Sequence, residues 1–83
     1  MTWEVVLARQ AARRLAELPP KDRARLVDAL VQMEAHPYSG DVVKLKGLAV
    51  TFRRRVGSYR IFFDVDGQRV NVLAIERRTS TTY

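Results

Sequence analysis

The sequence predicts an α+β domain of order β-α-α-β-β-β, a twisted and mostly antiparallel sheet with an N-terminal helical hairpin packed on one face. Three observations predict it. Apolar residues recur at helical spacing through residues 8–35, with a break at Pro19-Pro20. Runs rich in β-formers follow. Two turn signals, Gly57-Ser58 and Asp66-Gly67, divide those runs into strands. With 83 residues and no linker, repeat or low-complexity stretch, the chain is expected to be one domain, 1–83.

Trp3-Glu4-Val5-Val6-Leu7 is rich in β-formers and predicts the first strand. From Ala8 to Leu18, the positions Ala8, Ala11, Ala12, Leu15 and Leu18 define one apolar helix face, with Arg9, Arg13, Arg14 and Glu17 mostly opposite. Pro19-Pro20 ends this helix, because the residue before a proline avoids helical dihedrals. Pro20 then suits the first position of a second helix, predicted over Lys21 to Ala35 with Leu26, Val27, Leu30, Val31 and Met33 as its apolar positions. Two helices joined this tightly form an antiparallel hairpin. His36-Pro37 stops the second helix, and Tyr38-Ser39-Gly40-Asp41 reads as a loop.

Val42 to Leu48 reads as a short connector. Val50 to Val56 and Tyr59 to Val65 read as strands around the Gly57-Ser58 turn. Asp66-Gly67 predicts the next hairpin, since both residues tolerate positive φ. Arg69 to Ile75 is the last strand, and its near-continuous apolar run predicts a central strand covered on both faces. Trp3 and Phe62 are expected in the core, and Arg77 to Tyr83 reads as a polar tail.

Composition excludes several function classes. There is no cysteine, so a disulfide, a Cys-based metal site and a Cys nucleophile are all absent. No apolar run approaches the roughly 18 residues of a membrane span, and no secretory signal is expected from Met1-Thr2-Trp3-Glu4, so a cytoplasmic protein without a membrane partner is expected. An apolar content of 47% argues for a folded domain. The net charge of +6 is unevenly spread. Residues 1–41 carry six basic and six acidic side chains, whereas residues 42–83 carry nine basic and three acidic ones. The second half therefore holds the whole surplus and predicts the working face, with a polyanion as its natural partner.

The centre of that surplus is Phe52-Arg53-Arg54-Arg55-Val56-Gly57-Ser58-Tyr59-Arg60, with no acidic residue between Val42 and Phe63. Strand alternation places Arg53 and Arg55 on one face, and Phe52, Arg54 and Val56 on the other. Arg60 shares its face with Phe62 and Asp64, and an ion pair with Asp64 is the structural alternative for it. If Arg60 joins the Arg53/Arg55 face, three guanidinium groups surround one phosphate.

Several pieces along the full length, in order, resemble the RelE/ParE superfamily of bacterial toxins from type II toxin–antitoxin pairs. They are the helix ending at Leu18-Pro19, the helix ending in His36-Pro37-Tyr38, and Lys44-Leu45-Lys46-Gly47-Leu48. The others are Phe52 to Ile61 and an arginine followed six residues later by a tyrosine, Arg77 and Tyr83. The resemblance implies a RelE-like fold and a cognate antitoxin that neutralises the chain. It implies one of two activities. RelE-like members are ribosome-dependent endoribonucleases that cut mRNA and inhibit translation, the branch favoured here. ParE-like members inhibit DNA gyrase without being enzymes. A non-toxic member that only binds its antitoxin is a third reading.

On the ribonuclease reading, the family's catalytic positions correspond to Arg60, Arg77, Tyr83, Arg53 and Arg55, with Lys44, Lys46, Arg54 and Arg78 as RNA contacts. The chain departs from the family pattern at Arg54, usually apolar, at the Arg53/Arg55 pair, often lysine, and at Ile75-Glu76, usually a glycine and a basic residue or histidine. The implied chemistry is metal- and cofactor-free: the RNA 2′-OH attacks the adjacent phosphate. His36 is the only histidine and falls at a predicted helix end, where an imidazolium suits the helix dipole. Asp64 and Asp66 lack a third ligand, so no metal site is expected. Arginine forks suit phosphate and its developing charge. They are poor general bases, because their pKa stays above about 12. The proton acceptor is therefore unassigned, with an unusual arginine, Tyr83 or the ribosome as the options.

Overall fold

The computed structural model describes residues 2–45, 47 and 51–77. Its elements run β1 (Glu4–Leu7), α1 (Arg9–Glu17), α2 (Pro20–Ala35), β2 (Asp41–Leu45), β3 (Thr51–Val56), β4 (Tyr59–Asp66) and β5 (Arg69–Arg77). The α1–α2 junction follows from its sequence. Leu18, held extended before Pro19, closes α1 with its N–H on the Leu15 carbonyl, and Pro20 opens α2 as its first residue. Arg23 Nη2 donates to the Leu18 carbonyl at 3.0 Å and so satisfies one of the orphan groups at the end of α1. At the other end of α2, His36 caps the helix through its N–H to the Gln32 carbonyl, and the imidazole is exposed as expected.

The strands form one five-stranded sheet in the order β1-β5-β4-β3-β2. β1 runs parallel to β5, and every other neighbouring pair is antiparallel. β2 occupies part of the stretch expected to be a connector. Asp41–Leu45 is short and lacks alternation, so its local signal is weak. The free edge of β3 supplies the order, pairing Asp41 with Arg55 through to Leu45 with Thr51. Gly57 and Gly67 take φ of +58° and +60° as the first residues of the two hairpin turns, which makes Gly67-Gln68 the central pair of the second turn.

The helices cover one face of the sheet. Ala11, Leu18, Leu26, Ala29, Leu30 and Met33 from the helical hairpin meet Tyr59, Ile61, Phe63, Val70, Val72 and Ile75 from β4 and β5. Phe63, Leu26, Met33 and Ile61 are fully buried, and each side chain of this size contributes about 1.5–3 kcal/mol by leaving water. Phe52 stacks on Phe63 at 5.4 Å, and Tyr38 packs edge-on against Phe52 at 5.2 Å. Trp3 packs against this core, half-buried. Phe62 does not join it: it alternates with Ile61 and Phe63 and lies half-buried on the opposite, open face.

A β-bulge corrects the reading of β5 as a strand covered on both faces. Phe63 pairs with Val72 but Phe62 pairs with Ala74, so Leu73 is an extra residue in β5. The inward positions are Val70 and Val72 before the bulge and Ile75 after it. This change of phase produces the near-continuous apolar run. Gln10 Nε2 from α1 donates to the carbonyl of the extra Leu73 at 2.7 Å.

Candidate functional site

The open face of the sheet carries the basic cluster. Cross-strand partners share a face, so register alone places the side chains. Asp41 pairs with Arg55, Arg55 with Arg60, and Arg60 with Glu76. These four residues form a single row across β2, β3, β4 and β5, with the charges ordered acid, base, base, acid. Arg53 lies one position along the same face, paired with Val43 on one side and Phe62 on the other.

Two like charges directly opposite one another destabilise a sheet. Arg55 and Arg60 do this one rung in from the Val56–Tyr59 pair that closes the Gly57-Ser58 turn. Arg55 is compensated weakly, with its Nε 3.8 Å from Asp41 Oδ2, both side chains well exposed. Arg53 and Arg60 make no ion pair among the described residues. The Arg60 Nε is buried without a hydrogen-bond partner. Its alternative role as the ion-pair partner of Asp64 is not seen: Asp64 Oδ1 accepts from Asn71 Nδ2 at 2.8 Å. The open face thus holds three guanidinium groups together with donors to spare, an arrangement that suits a phosphodiester.

The remaining sequence-derived residues separate from this cluster. Arg54, expected to contact RNA, lies on the helix side at 6% exposure, which removes its guanidinium from the open face. Its Nη2 donates to Gln32 Oε1 at 2.7 Å, and its Nε and Nη1 are buried without partners. Burial lowers its pKa from the ordinary guanidinium value, and the charge of Asp28 opposes that effect. Gly40, at φ +83°, sits over it so closely that an added Cβ would lie 3.1 Å from Nη2. Lys44 is exposed at the sheet edge, but it pairs with Phe52 and so belongs to the helix side of β2.

Arg77 also differs from the expected grouping. It pairs with Tyr59, whose ring is buried under the helices, so it stands on the face opposite Arg60. The bulge at Leu73 is the cause: strict alternation from Val70 and Val72 would have put Arg77 on the open face. Around it is a second polar cluster that the sequence reading missed. The Tyr59 hydroxyl donates to Asp22 Oδ2 at 2.8 Å. That bond, then burial, raises the Tyr59 pKa, while the charges of Arg77 and Arg14 lower it. Lys46, Arg78 and Tyr83 lie outside the described residues. Among the described residues, no group of three or more His, Asp or Glu side chains is placed to hold a metal ion.

A family model described as the ParE toxin of type II toxin–antitoxin system, parDE, matches residues 5–81. No curated protein sequence matches the chain. Solved structures do. A chain of the archaeal RelE–RelB complex from Pyrococcus horikoshii superposes with a TM-score of 0.85 at 26% identity, covering 98% of this chain and 100% of that one. A chain of the toxin–antitoxin complex RelBE2 from Mycobacterium tuberculosis gives 0.82 at 26% identity, over 94% and 100% of the two chains. A mutant of Escherichia coli RelE in the free state shares the fold, with a TM-score of 0.75 at 21% identity over 93% and 84%. The family match spans nearly the whole chain and the architecture is that of RelE toxins, so this chain belongs to the RelE/ParE superfamily of toxins from type II toxin–antitoxin systems.

Proposed function

We propose that the chain is a RelE-like endoribonuclease that cuts mRNA on the ribosome in the cytoplasm, and that a cognate antitoxin holds it inactive. The observation that carries this reading is the Arg55–Arg60 pair, joined by Arg53, on an otherwise open sheet face. Like charges kept together at a cost to the fold, with unspent donors, are the expected architecture of a site whose anion arrives from outside. A phosphate between them receives forked contacts from more than one guanidinium. As the 2′-oxygen attacks the phosphorus, these groups stabilise the extra negative charge of the transition state. The bond to the 5′-oxygen then breaks, leaving a 2′,3′-cyclic phosphate and a 5′-hydroxyl.

The antitoxin follows from the relatives, one of which is described as a RelE–RelB complex and another as a toxin–antitoxin complex. A ParE-like action on DNA gyrase is the second reading, and the match to the ParE family model favours it. One experiment separates the two. The chain is induced in cells, mRNA 5′ ends are mapped, and gyrase-linked DNA breaks are assayed in parallel. New mRNA ends at codon boundaries are the expected result. DNA breaks without mRNA cuts would overturn the ribonuclease reading in favour of the gyrase one. Absence of growth arrest would mean a member that only binds its antitoxin.

A further inference from the structure

We infer that Glu76 is the proton acceptor of the cleavage reaction. This rests on the ribonuclease reading and assigns the role that the arginines cannot fill. A general base must lie within hydrogen-bond reach of the proton it removes. Arginine, ionised across the working pH range, is unsuited to it. His36 lies at the end of α2, and neither helix borders the open face.

The row across the sheet supplies the missing group. Glu76 is the direct neighbour of Arg60 on the open face, in the same rung as Arg55. Adjacent strands lie about 4.8 Å apart, so a phosphate held by Arg55 and Arg60 brings the 2′-OH of its own ribose within reach of the next strand. Glu76 is exposed and makes no ion pair or hydrogen bond with the described residues, Arg60 included. Of the other acids of that face, Asp41 faces Arg55, Asp64 accepts from Asn71, Glu4 pairs with Arg69 at 3.4 Å, and Asp66 stands across from Arg69 at the far end of β4, six residues from Arg60. Among the described residues, the charged groups facing Glu76 are Arg60 from β4 and, beyond it, Arg55 from β3. β1 pairs only with Arg69–Val72 of β5, and the helices lie on the other side. The same bulge that removes Arg77 from the open face brings Glu76 onto it.

The Glu76 carboxylate takes the 2′-OH proton as the bond from the 2′-oxygen to phosphorus forms. The bond from phosphorus to the 5′-oxygen breaks, its electron pair leaves on that oxygen, and water supplies the proton that makes it a hydroxyl. Glu76 then releases its proton to solvent.

The test is single-turnover cleavage of mRNA on programmed ribosomes as a function of pH, with wild-type, Glu76→Gln and Glu76→Asp chains. Binding of an mRNA carrying a 2′-deoxy nucleotide at the cut site is measured alongside. Glu76→Gln is expected to slow cleavage by about 10²–10⁴-fold and to abolish the acidic limb of the pH profile, with binding unchanged. Glu76→Asp is expected to retain that limb at a reduced rate. Cleavage by Glu76→Gln at the wild-type rate, or a loss that tracks weaker binding with the limb intact, would overturn the inference and leave the ribonuclease reading standing. A wild-type chain that cuts no mRNA would overturn both.

Discussion

The Arg54 guanidinium is buried beneath α2 and donates to the Gln32 side-chain oxygen at 2.7 Å, while two of its other nitrogens find no partner. A charge in that position is supported by one good hydrogen bond and by Asp28 at longer range. The first prediction is a non-additive pair. Gln32→Ala removes the partner of a buried donor and is expected to destabilise by about 1–3 kcal/mol. Arg54→Met removes the charge itself and is expected to be neutral or stabilising, as when buried ionic groups give way to packed hydrophobes. In the double mutant the Gln32 penalty should vanish. A thermodynamic cycle by urea unfolding measures this, and strictly additive effects would mean the contact carries no energy.

The second prediction concerns alkaline pH. The Tyr59 hydroxyl titrates above the ordinary tyrosine range, first because it donates to Asp22 and second because it is buried. A raised pKa in the folded state gives a contribution fully present below the unfolded value, about 10, and lost as pH rises beyond it. Tyr59→Phe is therefore expected to lower Tm at neutral pH and to flatten its fall above pH ~10. Thermal melts of the two chains across that range check it: parallel alkaline limbs would show that the bond makes no such contribution.

The third prediction uses two glycines with nearly equal backbone angles. Gly57 and Gly67 have φ of +58° and +60°, but an added Cβ meets Arg25 Nη1 at 2.8 Å in the first and open space in the second. Gly67→Ala is expected to cost only the left-handed strain, about 1–2 kcal/mol. Gly57→Ala carries the same strain and must also displace the Arg25 side chain, so it should be the more destabilised. Arg25→Ala in the Gly57→Ala background should bring the two costs together, and chemical unfolding of the three chains compares them.

Much of this fold is legible in the sequence because its signals are local. The 3.6-residue apolar pattern and Pro19-Pro20 define both helices, and the glycine turns set both hairpins within a residue. Alternation around Gly57-Ser58 also separates Arg54 from Arg53 and Arg55. Other features depend on pairing that no local pattern announces. Asp41–Leu45 becomes a strand through the edge of β3. The bulge at Leu73 has the largest consequence for the site. Counting pairs back from Asp66–Arg69 without it matches Arg60 to Ile75, whereas the structure matches Arg60 to Glu76 and turns Arg77 away. A one-residue slip reverses every face beyond it, so the acid beside Arg60 is invisible until the register is known. Arg54 misleads for a different reason: an arginine within a basic run reads as surface until the helix above it is placed.

The last prediction sets stability against activity at Arg60. Its guanidinium faces Arg55 across the ladder, and its Nε is buried without a partner. Arg60→Met keeps the aliphatic stem, relieves the like-charge pair and removes the orphan donor. The first relief alone is worth roughly 0.2–1 kcal/mol, enough to raise Tm by a few degrees in a domain this small. The same change deletes a group placed to stabilise charge on the phosphate, so mRNA cutting should fall by about 10²–10³-fold. Tyr83→Phe, at the closing tyrosine of the family pattern, is expected to lower cutting with no rise in Tm. The melting and cleavage assays are run on the same preparations, and the signature is opposite movement in Arg60→Met: a more stable chain that cuts less. Loss of both would make Arg60 a structural residue, and retention of full cutting would remove it from the site. Arg55→Met gives the matching control, since it relieves the same repulsion but also abandons the contact with Asp41, so its gain in Tm should be the smaller of the two.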